Sequence, residues 1–454
     1  MMPTTVKPQE KAFAPQQLRD YQREAVDAVK AAWERGIKAL VAVATGGGKT
    51  TIGSQLLFEA VDPYQHRALV IGHTKEIVEQ FARRVENQFG GKLSIPYQVP
   101  GALMAPGLGI VMAENDEADA RVVVATRQTV QSEKRLNRLL QTGHFDVVLI
   151  DEAHHALADN TYGKIVKRLQ QANPFVKIAG LTATPKRTDA KALGTIFDEI
   201  VYAWLIPDGI AAGYLTPVQR VKVSTQVNLS KVRSARGDYS MSKMVSILET
   251  ENWVELAENA YKDYIADSGR SKTLEFFHMV DMSRQFAEHL YKNGVNARHI
   301  DGNTPKSERS EILKAYQSGG VQVVSNMGVL TEGFDAPSTE AILLARPTRS
   351  RTLFTQIVGR GLRPFPGKDD CLLLDLTVVD TRALEVGDLF GRMMTCHECE
   401  AEYLAGLPKC PRCGAVPPPP EKRESVEEAV YFADGLAVGE GLQAEFGNLF
   451  EKAF

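Results

Sequence analysis

Apolar residues fall along this chain in short unbroken runs, separated by stretches in which they recur every third or fourth position. The first series of runs is "ALVAVA" from Ala39, "RALVIG" from Arg67, "RVVVAT" from Arg121, "FDVVLID" from Phe145 and "VKIAGLT" from Val176. Runs this short and rich in β-branched residues predict strands buried on both faces. Between them lie stretches such as "KEIVEQFARRVENQF", whose apolar positions share one helical face. A second series follows: "KTLEFFH" from Lys272, "ARHID" from Ala297, "VQVVSN" from Val321, "EAILLA" from Glu340 and "DCLLLDL" from Asp370. Strand alternating with helix predicts parallel α/β architecture, and the pattern occurs twice.

Between the two series, over Ile206–Asn252, the pattern loosens into stretches such as "VSTQVNLSKVRSARG". The expected organisation is a short extension at 1–15, a first α/β domain at 16–205, a connector at 206–255 and a second α/β domain at 256–390. A cysteine module at 391–416 and a spacer with an acidic tail at 417–454 complete the chain. A length of 454 residues is too great for one core and agrees with that division. Hydrophobic content of 44% and charged content of 24% are ordinary for a globular protein. No run approaches membrane-spanning length, and the N-terminus lacks the apolar segment of a signal peptide, so a cytoplasmic protein with no membrane partner is expected. Net charge is −3, but Glu421–Phe454 holds eight acidic and three basic residues, leaving the rest slightly positive. A polyanion would have to meet a local basic channel and not a global field.

Two motifs carry chemistry. "VATGGGKTT" follows the first strand and opens a helix. Thr45, Gly46, Gly47 and Gly48 form a loop whose backbone N–H groups can wrap a phosphate, Lys49 can reach the β- and γ-phosphates, and Thr50 can hold Mg²⁺. Val43 stands where the usual phosphate loop has its first glycine. "VVLIDEAHH" is an apolar strand with two carboxylates at its C-terminal end, where parallel sheets bind ligands. Asp151 is the candidate ligand of Mg²⁺, and Glu152 the candidate base for an attacking water. His154 is the histidine with an expected role, whereas His155 is expected to pack or face solvent.

With these motifs in place, Leu18–Leu376 resembles the superfamily 2 helicases with a DEAH box, closest to bacterial and phage DNA repair helicases of the RadD type. The segments that carry the superfamily likeness are "LRDYQREAV", "HTKEIVEQ", "VATRQTV", "LTATP", "VLTEGFDAPS" and "QIVGRGLRP", in the family's order, and those similar to the RadD type are "NGVNARHIDGNTPKSERSEILKAYQSGGVQVVSNMGVLTEGFDAPS", "RPTRS" and "GKDDCLLLDL". The resemblance implies two tandem RecA-like domains and an ATP-dependent motor on nucleic acid, DNA by the subgroup, working as a monomer in repair or recombination. It implies that Gln22 reads adenine, that Gly333 and Asp335 approach the ribose, and that Thr182, Thr184 and His154 couple the nucleotide to the strand. Gln356, Arg360 and Arg363 would act on the γ-phosphate from the second domain, and closing and opening of the cleft would be the motor stroke. Thr74, Lys75, Thr126, Arg127, Gln128, His278 and Thr331 would touch the nucleic-acid backbone, although Thr126 and Thr331 serve equally as helix caps. A duplex DNA translocase of a restriction system, an RNA helicase and a non-hydrolysing nucleotide switch are the alternatives.

The cysteines add one element. Cys396, Cys399, Cys410 and Cys413 form two Cys-x-x-Cys pairs near the end of the chain. No thioredoxin-like unit accompanies them, so the spacing predicts one tetrahedral Zn²⁺ site, with Cys371 and His397 not needed. Such a module, or the acidic tail, offers a contact for a strand or a protein partner.

Overall fold

The computed structural model describes residues 17–61, 66–89, 107–184, 196–223, 238–250, 252–331 and 334–377, with short pieces between 227 and 235 and between 393 and 415. The chain divides near Trp204 into two compact units.

The first unit runs α1 (Asp20–Glu34), β1 (Ala39–Val43), α2 (Lys49–Ala60), β2 (Ala68–Gly72), α3 (Lys75–Phe89), β3 (Leu108–Met112), β4 (Asn115–Asp116), β5 (Val122–Thr126), α4 (Arg127–Val130), α5 (Glu133–Gln141), β6 (Val147–Asp151), α6 (Thr161–Ala172), β7 (Lys177–Thr182) and β8 (Glu199–Trp204). Its sheet has the order β4-β3-β5-β2-β6-β7-β1-β8, parallel throughout except for the β3–β4 pair. Strands β1, β2, β5 and β6 are buried at every position, which is why they read as unbroken apolar runs. Charges are buried with them, Arg67 and Arg121 most deeply. Arg67 enters β2 and donates to the carbonyls of Gly143 at 2.7 Å, Ala118 at 2.8 Å and Ala120 at 3.4 Å, with its guanidinium 4.4 Å from the centre of the Phe145 ring. A buried guanidinium is tolerable because its donors are used.

The second unit runs α7 (Ile206–Ala211), β9 (Val218–Lys222), β10 (Ser234–Ala235), β11 (Asp238–Tyr239), α8 (Met241–Thr250), α9 (Trp253–Ala260), β12 (Thr273–Phe277), α10 (Val280–Lys292), β13 (Ala297–Ile300), α11 (Lys306–Ser318), β14 (Val323–Asn326), β15 (Ala341–Ala345), α12 (Arg351–Val358) and β16 (Cys371–Asp375). The order β13-β14-β12-β15-β16-β9 is wholly parallel. Strand β9 lies in the stretch expected to be connector. It pairs with β16, and its Arg220 forms a buried ion pair with Asp375 on that strand. Helix α9 is also part of this unit, with Trp253 in the core and its indole N–H donating to Ala345 O at 2.9 Å. Beyond β16, β17 (Met393–Thr395) and β18 (Glu402–Leu404) pair antiparallel. No described helix is long and apolar enough to cross a membrane.

A carboxyl group sits inside the second core. Glu275 is the central residue of β12 and is fully buried, opposite Ser325 on β14 and on the face that packs with Trp253, Tyr261 and Phe286. Burial pushes its pKa well above the ordinary carboxylate value, and nearby Glu258 adds to the shift. The folded chain therefore binds this proton more tightly than the unfolded chain. Its contribution to stability is complete below the unfolded value of 4.5 and is lost as pH rises through the elevated folded value. Glu275→Gln, which mimics the protonated form, should gain stability relative to the parent as pH rises from about 6 to about 9. Urea unfolding midpoints at several pH values check this, and parallel profiles for the two proteins would show that the folded chain does not hold the Glu275 proton in that range.

Candidate nucleotide site

Three neighbouring parallel strands of the first unit end side by side. In register, Ala42 on β1 lies opposite Thr182 on β7, and Leu181 lies opposite Asp151 on β6. The loop Thr45–Gly48 leaves β1 at this edge and turns into α2. Gly47 N–H donates to Ala44 O at 2.9 Å, and Gly46 and Gly48 take φ of 87° and 82°. Gly48 precedes the first residue of α2, and its carbonyl accepts from Thr51 and Ile52. A Cβ on Gly48 would lie 2.5 Å from Gln22 Nε2, so the amide abuts the loop. Gln22 is held from α1. Its Oε1 accepts from Arg19 N–H at 3.1 Å, its Nε2 donates to Tyr21 Oη at 3.4 Å, and the Tyr21 ring stacks on Trp204 at 3.8 Å.

Lys49 opens α2 and places Nζ 3.6 Å from Glu152 Oε1. Glu152 follows β6 in a left-handed conformation, φ 48°, with its N–H donating to Asp151 Oδ1 at 2.9 Å. Its second carboxylate oxygen lies 3.2 Å from His154 Nδ1, which is also 3.2 Å from Thr182 Oγ1. Thr184 N–H donates to Thr182 Oγ1 at 3.1 Å. The structure thus brings Lys49, Asp151, Glu152, His154, Thr182 and Thr184 into one polar chain across the ends of β6 and β7, with Thr50 in the first turn of α2. His155 packs, stacking on His73 at 3.9 Å between ring centres.

The predicted strand-contact residues of this unit are spread along the same edge of the sheet. Thr126 caps α4, with Oγ1 accepting from Thr129 N–H at 3.3 Å, and Thr74 Oγ1 accepts from Ile77 N–H at 3.4 Å in the first turn of α3. Lys75 pairs with Glu79 at 3.4 Å, Arg127 donates to Gln131 at 3.0 Å, and Gln128 is exposed.

In the second unit, Gln356 lies on α12, and Arg360 follows it in the next turn. Arg360 donates to the carbonyls of Thr331 and Phe334, at 2.6 and 2.5 Å, and Arg363 pairs with Asp335. Two residues expected at the γ-phosphate thus hold the segment that carries residues expected at the ribose and the strand. His278, at the end of β12, is buried; burial and Arg346 push its pKa down to about 4, so it is neutral at physiological pH. Gly333, Cys396, Cys399, Cys410 and Cys413 lie outside the described residues, as does the acidic tail. No group of metal-ligating residues occurs among the described ones. Sequence reasoning passed over Tyr21 and Trp204, whose stack supports Gln22, and Arg84, which donates to Thr51 Oγ1 at 2.9 Å behind the loop.

Residues 16–187 match the family described as type III restriction enzyme, res subunit, and residues 257–364 match the helicase conserved C-terminal domain. The chain carries a superfamily 2 helicase core. Such a core is the ATP-dependent engine of helicases and translocases. The IRC3 protein of Saccharomyces cerevisiae is 31% identical over 371 residues, 79% of this chain. The chain spans only 51% of that relative's length. The DNA 3'-5' translocase XPB2 of Sulfurisphaera tokodaii is 24% identical over 398 residues, covering 80% of this chain and 82% of the relative. A solved HsdR fragment of a type I restriction enzyme from Vibrio vulnificus shares the fold, with a TM-score of 0.58 and 21% identity over 79% of this chain and 64% of that one.

Gly48→Ala in the helicase core should strain the left-handed position and drive the Gln22 amide from the loop. At about 1–3 kcal/mol of strain, ATP affinity should fall roughly tenfold or more. Titration with a fluorescent nucleotide checks this; unchanged affinity would show that the loop does not need glycine there.

Proposed function

We propose that this protein is a DNA-directed motor that couples ATP hydrolysis to movement along a strand, in the cytoplasm and in the setting of DNA repair or recombination. The observation that carries the chemistry is the Lys49–Glu152–His154–Thr182 chain at the level ends of β6 and β7, beside the glycine loop. DNA as the track is supported by the relative named as a DNA translocase, most of whose length this chain covers. The repair setting is supported by the resemblance to RadD-type helicases.

The residues take these roles. Gln22 reads the adenine edge, and the N–H groups of Thr45–Gly48 with Lys49 hold the phosphates. Thr50 and Asp151, a hydroxyl and a carboxylate beside the loop, have the hard oxygen donors that suit Mg²⁺. When bound there, Mg²⁺ supplies positive charge to the phosphate oxygens. Glu152 takes the proton of the attacking water, and its link through His154 to Thr182 and Thr184 passes the state of the nucleotide to β7 and the loop beyond. Arg363 offsets the charge that develops on the transferring phosphate, Arg360 and Gln356 assist it, and Asp335 and Gly333 meet the ribose. Thr74, Lys75, Arg127, Gln128 and Thr331 touch phosphates and sugars, which orient a strand without reading its bases. The buried, neutral His278 supports its strand end from within.

The test is ATP hydrolysis measured with single-stranded DNA, duplex, forked DNA and RNA. Stimulation by DNA above RNA is expected, and no stimulation by any nucleic acid would refute the motor. Glu152→Gln should bind ATP as the parent does and lose roughly two to four decades of turnover. Near-parental turnover would remove Glu152 from the role of base.

We further assign Cys396, Cys399, Cys410 and Cys413 to one structural Zn²⁺, beside which a strand or a partner protein docks. The β17–β18 pair supports this reading. Thr395 lies opposite Glu402 in that antiparallel pair, and the first cysteine pair falls between the two strands in the sequence. Cys410→Ser should release zinc and weaken DNA binding while basal ATP hydrolysis persists. Metal analysis finding no zinc in the parent would remove the site, and unchanged DNA affinity in the zinc-free variant would remove only the contact.

A further inference from the structure

The turn after α12 carries both arginines of "GRGLR", and a half-buried lysine grips its backbone. Lys368 Nζ donates to the carbonyls of Gly361 at 2.6 Å, Arg363 at 2.9 Å and Pro337 at 3.2 Å. An ammonium has three N–H donors, and these three carbonyls take all of them. The group is half-withdrawn from water, and burial lowers its pKa below the ordinary lysine value. A desolvated charge persists where every donor is satisfied, so the three carbonyls and the ammonium form a closed set.

The carbonyls belong to two segments. Gly361 and Arg363 lie in the arginine turn, and Pro337 lies just beyond Asp335. Arg360 joins the same segments through Thr331 O and Phe334 O, and Arg363 does so through the Asp335 carboxylate. Of these ties, only the one from Lys368 holds the main chain of Arg363 itself. Thr216 N–H donates to Leu362 O at 2.7 Å and holds the peptide on the N-terminal side of Arg363, so Lys368 holds the other side. A guanidinium acting on a phosphate depends on its Cα being fixed, because an error of about 1 Å at the reacting atoms costs on the order of a hundredfold.

We propose that Lys368 is the positioning residue for Arg363, its ammonium fixing the backbone turn from which the guanidinium projects. The inference rests on the reading of Arg363 as the arginine that acts on the transferring phosphate. Lys368 touches no substrate and acts through Arg363.

The experiment is a double-mutant cycle on the full chain, using Lys368→Gln, Arg363→Ala and the two combined. Lys368→Gln should lower kcat roughly tenfold to a hundredfold, with KM for ATP and thermal midpoint close to the parent. On the Arg363→Ala background it should add no further loss, because a residue that works through another has nothing left to position. Losses that multiply in the double variant would overturn the proposal, as would a Lys368→Gln kcat within about twofold of the parent. Near-parental turnover in Arg363→Ala would instead overturn the reading beneath it. Lys368→Arg serves if the glutamine variant does not fold. It keeps the charge but cannot aim three N–H donors from one atom, so kcat should fall with KM for ATP and thermal midpoint near the parent, and the fall should vanish on the Arg363→Ala background; a fall that persists there would also overturn the proposal.

Discussion

Everything at the candidate nucleotide site depends on three parallel strands ending level. Parallel pairing of β1 with β7, and of β7 with β6, sets Ala42, Thr182 and Asp151 at nearly the same height. Each strand then releases a loop from the same edge. The glycine turn, the carboxylate pair and the Thr182–Thr184 segment come from remote parts of the chain and meet without any long excursion. A slip of two residues in either pairing would move one group more than 6 Å along the strand, about the length of two residues. Such a slip would also expose part of a run that is buried on both faces, so the apolar core enforces the register the chemistry needs.

The second unit uses polar groups differently. Its charges are spent on its own backbone and on neighbouring strands: Arg220 on Asp375, Arg360 on two carbonyls, Lys368 on three. Several of these residues look like surface charges in the sequence. A guanidinium or ammonium is inexpensive to bury only when carbonyls or carboxylates surround it, and a turn rich in glycine and proline exposes carbonyls that no helix or ladder has claimed. The arginine turn and the residues Thr331, Phe334 and Pro337 lie outside helix and ladder, and side chains brace them instead.

Much of this architecture is legible in the sequence where residues act locally. Unbroken apolar runs mark β1, β2, β5, β6 and β7, and the glycine loop and the carboxylate pair are contiguous strings attached to them. Strand β9, "VQRVK", reads as connector because its arginine looks solvent-bound, and only its buried partner 155 residues away makes it a strand of the sheet. The edge strand β8 hides in the same way, half-exposed and carrying a glutamate at its start. Thr126 shows the limit at a single residue. Helix cap and strand contact both use one hydroxyl, and the geometry supplies the cap. Lys368 was invisible for a related reason, since its acceptors are backbone atoms that no pattern of residue types records.

The stack of Tyr21 on Trp204 joins the beginning of the first unit to its end. A second tie runs beside it, from Tyr202 Oη to Glu24 at 2.8 Å. A globule whose two ends are fastened together behaves as a cassette. Such a body can be set into another chain with little disturbance, because its two ends lie together. Extra segments can then accumulate around such a body without threading through it, in step with relatives that carry the same core inside chains of very different length.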